Sequence, residues 1–369
     1  MKGEINGEFE KDFLTGGSGP VDRIRYGTHF EHGGVAGAAA PAGAVVALPA
    51  VGEETGERTV EDGGTGPYKA IMVGDSSIPT HTIYRPKDLS AFGNNVKLPI
   101  LAWGNGGCAN SSGGHQNYLS EIASHGFIIV AIGPLPAPGG GRGGAPGGGA
   151  AAGGGPTGGT LLNAINWAVA QNGDSASRYK GKLDVSKIAA FGHSCGGLQA
   201  LEISGDPRIS TTVVVDSGIL NAAGGAPGGA PAARGAAPAP TGAAAPGGAR
   251  AGGGAGGGAL PGMPPLTKDH LAKLHTPVFY LLGGETDIAY ANGMDDFKRI
   301  EKLPVFVANK SVGHGGTFTQ PHGSDWAMAS VAWLKWQLKG DAEAGKLFTG
   351  NPSGLSKIVG WTVDKKNIP

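Results

Sequence analysis

The chain of 369 residues contains only two cysteines, too few for a disulfide-built scaffold or a four-cysteine zinc site. It has no excess of either charge, because 29 basic and 29 acidic residues give a formal net charge of zero. That leaves no basic stripe of the kind nucleic-acid binding requires, and no nucleic-acid partner is expected. No apolar run approaches the roughly 18 residues that a membrane-spanning helix needs, so no membrane span is expected. The opening Met1-Lys2-Gly3-Glu4-Ile5-Asn6-Gly7-Glu8 is polar and lacks the apolar stretch of a secretory leader. A cytoplasmic chain is the expectation, or a secreted or periplasmic one if a leader has been removed.

Glycine is what the chain has in excess, 71 residues together with 26 prolines. They cluster: 13 glycines fall in the 26 positions of 134–159, and 15 in the 41 positions of 222–262. The remainder suits one large domain or two small ones. Residues 1–66 are weakly patterned and read as an N-terminal extension, with a catalytic-sized domain over 67–369. His29-Phe30-Glu31-His32 in that extension has neither the further ligands nor the helix a metal would need, and reads as solvated surface.

Tyr68–Val73 and His81–Pro86 read as short strands. Leu98-Pro99-Ile100-Leu101-Ala102-Trp103, Phe127–Ile132, Lys187–Phe191, Thr211–Val215, Pro277–Leu282 and Pro304–Ala308 are apolar runs suited to buried strands. Helical spacing is found over 115–125, 160–172, 196–203 and 324–339. Strands alternating with helices predict an α/β fold whose mostly parallel sheet is covered on both faces, with ligands at the carboxyl ends of its strands. Both glycine-rich inserts leave from strand ends, after Ile132 and Val215, which puts them on that rim. They are read as a cover over a site, as solvated loops, or as packed polyproline II segments.

Gly192-His193-Ser194-Cys195-Gly196 stands between a predicted strand and a predicted helix. G-x-S-x-G in that setting is a nucleophile elbow, whose glycines permit a tight turn that lifts the serine hydroxyl to the head of a helix. A serine nucleophile needs a base and an acid to orient it. Asp287, after the strand ending at Leu282, and His314, after the strand ending at Ala308, follow Ser194 in the expected order. Asp216 is the alternative acid and His322 the alternative base. His193 precedes the serine and is expected to pack beneath the turn.

Trp103-Gly104-Asn105-Gly106-Gly107-Cys108 supplies flexible backbone for an oxyanion hole, with Gly106, Gly107 and Cys108 as donors beside the Cys195 amide. Trp103 borders this loop and is expected to line an acyl pocket, whereas Trp326, Trp333 and Trp336 read as core or surface aromatics. Gly104, Gly106 and Ala109 also match the dinucleotide fingerprint. The next strand, however, ends Ala131-Ile132-Gly133-Pro134, without the acidic residue such a site requires. No cofactor and no metal are expected.

Ala123-Ser124-His125-Gly126-Phe127-Ile128-Ile129-Val130, Gly192-His193-Ser194 and Gly283-Gly284-Glu285-Thr286-Asp287-Ile288-Ala289 resemble the α/β-hydrolase superfamily over roughly residues 68–345. The nearest likeness is to bacterial esterases of the dienelactone-hydrolase and polyester-hydrolase (cutinase-like) branches. The resemblance implies an eight-stranded sheet, Ser194 as nucleophile, Asp287 as acid and His314 as base. It differs in having Cys195 where those enzymes usually carry methionine, in lacking their tyrosine-bearing oxyanion loop and C-terminal disulfide, and in its two inserts. In a sheet of that type the loops bearing Cys108 and Cys195 follow neighbouring strands. The two cysteines then either form a disulfide, implying an oxidising compartment, or pack as buried thiols.

The expected activity is hydrolysis of a small-molecule or polymeric carboxylic ester through an acyl-enzyme. Polyester or aryl-ester hydrolysis and peptidase or amidase action with the same residues are the alternatives. Outside enzymes, the alternative is a catalytically silent protein whose inserts bind a surface or polymer.

Overall fold

The longest apolar runs of the sequence become the central strands of the computed structural model, which describes residues 52–136, 157–221 and 265–369. The chain divides at Val46/Ala47, and all described residues belong to the second unit. Its strands are β1 (Glu54–Arg58), β2 (Ala70–Asp75), β3 (His81–Pro86), β4 (Leu98–Gly104), β5 (Ile128–Ile132), β6 (Leu183–His193), β7 (Ile209–Val215), β8 (Val278–Leu282), β9 (Val305–Asn309) and β10 (Thr362–Lys366). Between them lie α1 (Gln116–Ser124), α2 (Gly158–Gly173), α3 (Cys195–Ile203), α4 (Tyr290–Arg299), α5 (Ser324–Lys339) and α6 (Ala342–Gly345).

Among the described residues the strands form one sheet in the order β1-β2-β3-β5-β4-β6-β7-β8-β9-β10. The run from β5 to β9 is parallel. Antiparallel pairs close both edges. The sheet therefore has ten strands where eight were expected. The two extra strands, Glu-Thr-Gly-Glu-Arg and Thr-Val-Asp-Lys-Lys, sit at the edges and are half exposed, so neither carries an apolar alternation. The first of them lies inside 1–66, so the sheet begins within the segment read as an extension.

Both faces of the parallel strands are buried, which explains their continuous apolar character. On one face, Leu101, Trp103, Ile129, Phe191, Phe279 and Phe306 pack against α1 and α5. Trp333 of α5 stacks on Phe279 with ring centroids 5.1 Å apart, and its Nε1 donates to Thr211 Oγ1 at 3.0 Å. On the other face, Ile100, Ile128, Val130, Ile188 and Ala190 meet α2 and α3, and Val214, Tyr280 and Val307 meet α4. Each such buried Val, Leu, Ile or Phe side chain contributes about 1.5–3 kcal/mol.

The parallel register brings the carboxyl ends of β4, β6, β7, β8 and β9 to one edge of the sheet. The described chain stops at 136, shortly after β5, and at 221, shortly after β7. The inserts, like His29 and His32, otherwise lie outside the described residues. Both approaches to 222–264 are tied to α4 through Asp296. It accepts from the Ile219 amide at 2.8 Å on one side and from Lys268 Nζ at 2.7 Å on the other.

Candidate active site

β6 runs straight into the turn at Ser194, whose backbone has φ 53° and ψ −116°. That conformation costs a non-glycine residue about 1–3 kcal/mol and persists only where the surroundings impose it. They do: the Ser194 amide donates to Val215 O at 2.8 Å, and its carbonyl accepts from Gly197 N and from Ser217 Oγ at 2.7 Å. The crossing of α3 over β4 requires glycine at 196. A Cβ there would stand 2.0 Å from Gly104 O. The same approach lets the Gly196 amide donate to Asn105 O at 3.0 Å.

Ser194, His314 and Asp287 form one hydrogen-bonded line. Ser194 Oγ lies 2.9 Å from His314 Nε2, and His314 Nδ1 lies 2.6 Å from Asp287 Oδ1. A carboxylate only accepts, so Nδ1 carries the proton and Nε2 is free to accept from the serine. The His314 side chain keeps about a third of its surface exposed, whereas that of Asp287 is fully buried. Burial disfavours the Asp287 carboxylate, but the His314 hydrogen bond, the neighbouring Asp216 carboxyl and the Ala289 amide outweigh it and hold its pKa below the usual range. Its turn fits tightly against the next loop: a Cβ at Gly283 would stand 2.3 Å from Gly313 O.

Two further histidines stand behind His314. His193 Nε2 lies 2.9 Å from His314 O, and His193 Nδ1 lies 3.1 Å from His115 Nε2. The carbonyl can only accept, which fixes His193 as the Nε2–H tautomer and His115 as donor to its Nδ1. Both rings are buried. Desolvation pushes His193 down to about 4 and His115 well below the ordinary histidine value, so both are neutral near pH 7. Phe318 packs edge-on against both rings.

The loop after β4 forms a 3-10 turn over Gly106–Cys108, with Gly107 at φ 63° and Cys108 at φ 50°. Cys108 and Cys195 are disulfide-bonded, their Cα atoms 5.2 Å apart. The bond ties this loop to the first residue of α3, whose amide has no intrahelical acceptor. Gly106 lies against His193, because a Cβ there would be 2.5 Å from Nδ1, while around Gly107 there is open space.

Trp103 does not line a pocket. It is fully buried among Tyr118, His115, Phe191 and Phe318, and its Nε1 donates to Asn105 Oδ1 at 2.8 Å. The indole is amphipathic, and here its polar edge holds the loop from beneath. Asn105 completes that support by donating Nδ2 to Ala109 O and Ile132 O. His322 stands apart from the serine, its backbone amide and ring against Glu61 and its ring near Glu121. It borders a groove of about 470 Å³ along α1, α5 and α6 that includes none of Ser194, Asp287 and His314. Trp326 and Trp333 are core residues, and Trp336 stacks on Phe348.

His193, Asp216 and His314 each offer a ligand-type atom within 4.8 Å of the others. They do not make a metal centre as arranged, because both nitrogens of each imidazole already serve a hydrogen bond. The roles of Asn105, His115, Ser217 and Phe318 were not legible in the sequence, since each acts through a contact to a distant segment.

No protein-family model matches this chain. No curated protein matches it either.

Proposed function

We propose that this chain is a serine carboxylic ester hydrolase of the α/β-hydrolase type. The observation that carries the reading is the line from Ser194 Oγ through His314 to Asp287, with separations of 2.9 and 2.6 Å, at the head of α3. In this mechanism Ser194 attacks the ester carbonyl as His314 Nε2 takes its proton. Asp287 holds the imidazole in the required tautomer and stabilises its charged form.

The carbonyl oxygen becomes an oxyanion beside the Cys195 amide and the 106–108 backbone. One such donor contributes about 10²–10³ in rate. The imidazolium then gives its proton to the leaving alcohol. Water, deprotonated by the same histidine, releases the acid and restores Ser194. Leu220 and Ile288 are large, exposed apolar side chains, the second directly after Asp287. They suit an ester with an apolar acyl or alcohol part.

Hydrolysis of p-nitrophenyl esters of increasing acyl length, alongside an aryl polyester fragment, tests this reading. Turnover by the parent chain that Ser194→Ala reduces by at least about 10³-fold is expected. Equal rates for the two proteins would overturn it. The chain-length profile sizes the pocket, and cleavage of the polyester fragment would extend the substrate class to polymers.

A further inference from the structure

Asp216 is a fully buried acid with no assigned work in the reaction above. It follows β7 directly, at φ 42°, with its amide donating to Leu281 O at 2.8 Å. Among the described residues no N–H or O–H group makes a good hydrogen bond to either of its carboxyl oxygens, and Asp287 Oδ2 is equally without a donor. The two carboxyl groups lie within hydrogen-bonding reach of each other. Two buried carboxylates cannot both ionise at that separation, so the pair shares a proton.

Which member holds it follows from the donors around each. Asp287 Oδ1 accepts from His314 Nδ1 at 2.6 Å and from the Ala289 amide at 3.1 Å, both of which favour its ionised form. At Asp216 the Gly283 amide favours the ionised form, but burial and the neighbouring Asp287 carboxyl outweigh it. His193 Nε2 is 4.0 Å from its Oδ2, but that N–H is committed to His314 O. The Gly283 backbone lies against Oδ1, and the Tyr118 phenol, also near enough to sense its charge, is paired with Ser330. The groups facing Asp216 are therefore Asp287, His193, His314 and Tyr118, and no permanent cation is among them.

We propose that Asp216 is a protonated carboxylic acid that donates its hydrogen bond to Asp287 Oδ2, and so acts as the positioning residue for the acid of the triad. This rests on the reading of Ser194, His314 and Asp287 as that triad. The neutral donor fixes the second oxygen of Asp287 and leaves the first aimed at His314, without adding a second negative charge beside the base. Burial, followed by the Asp287 hydrogen bond and charge, raises the Asp216 pKa far above the carboxylate range, in accord with this assignment.

The test has two readouts. Infrared spectra of the full chain at pH 8 are expected to contain one carboxylic-acid carbonyl band that shifts on deuteration and is lost in Asp216→Asn. In ester hydrolysis, Asp216→Leu is expected to lower kcat by about 10–100-fold with KM within about twofold, and Asp216→Asn, which still donates, to recover most of that loss. Absence of the acid band from the parent protein, or an Asn variant as slow as the Leu variant, overturns the proposal. The spectrum needs no substrate. Fluorophosphonate labelling of Ser194 with the band missing would therefore defeat this inference alone, whereas the band with no labelling would defeat the esterase reading.

Discussion

His193 gives its Nε2 proton to the carbonyl oxygen of His314, 2.9 Å away, so the residue before the serine holds the backbone of the residue that faces it. The two are 121 positions apart and come from the end of β6 and the loop after β9. A shift of about 1 Å in a catalytic base can cost about 10²-fold in rate. His193→Ala is therefore expected to lower kcat by about 10-fold or more with little change in KM, and His193→Gln, which keeps a donor, to recover part of it. Unchanged kcat in the Ala variant would show that the His314 loop needs no such anchor.

The Cys108–Cys195 bond spans a sequence separation of 87 residues and joins both sides of the proposed oxyanion hole. A disulfide typically stabilises a fold by about 2–4 kcal/mol, and by more when it closes a longer loop. The double variant Cys108→Ala/Cys195→Ala keeps the Cys195-position amide in place but frees the loop. Its denaturation midpoint and its kcat are both expected to fall. An unchanged midpoint, or two reactive thiols in the unreduced, unfolded parent chain, would contradict the bond's role.

How far this arrangement could be read beforehand differs from residue to residue. Leu98–Trp103 and Thr211–Val215 were legible as strands because both of their faces are buried, and Ser194, Asp287 and His314 because each follows such a run. β1 and β10 escaped notice because polar edge strands carry no period. α4, Tyr-Ala-Asn-Gly-Met-Asp-Asp-Phe-Lys-Arg, was missed because glycine and asparagine in its first turns weaken the helical signal. Trp103 differs from expectation for another reason: sequence places it beside the loop but does not give the direction of its ring, which is buried. Nothing in the local sequence marks His115, whose partner lies 78 positions on.

Three buried histidines are neutral in the folded chain. Desolvation lowers His81 and His193 to about 4, and His115 well below the ordinary histidine value. Their depressed folded pKa values contribute stability that is present above the unfolded value of about 6.5 and is lost as pH falls towards the folded values. Each contributes a slope of up to about 1.4 kcal/mol per pH unit in that window. Denaturant midpoints are expected to drop steeply between pH 7 and 5. A flat or rising midpoint over that range would contradict the burial of three neutral rings.

Asp216 has the opposite sign. Its folded pKa is raised, so its contribution to stability is complete below the unfolded value of about 3.9 and declines as pH rises above it. Asp216→Asn cannot ionise in the unfolded chain and escapes that decline. Relative to the parent it is expected to gain stability at pH 8 and to gain little at pH 4. A variant destabilised equally at both pH values would show that Asp216 is held as an ion.

The central claim is that Ser194 is a nucleophile activated by His314. Treatment with a fluorophosphonate probe, followed by intact-mass and peptide analysis, measures this directly. The account predicts one adduct per chain, on Ser194, that is absent from Ser194→Ala and forms at least about 10²-fold more slowly in His314→Ala. A parent chain that stays unlabelled, or labels equally well in the Ser194→Ala variant, would contradict it.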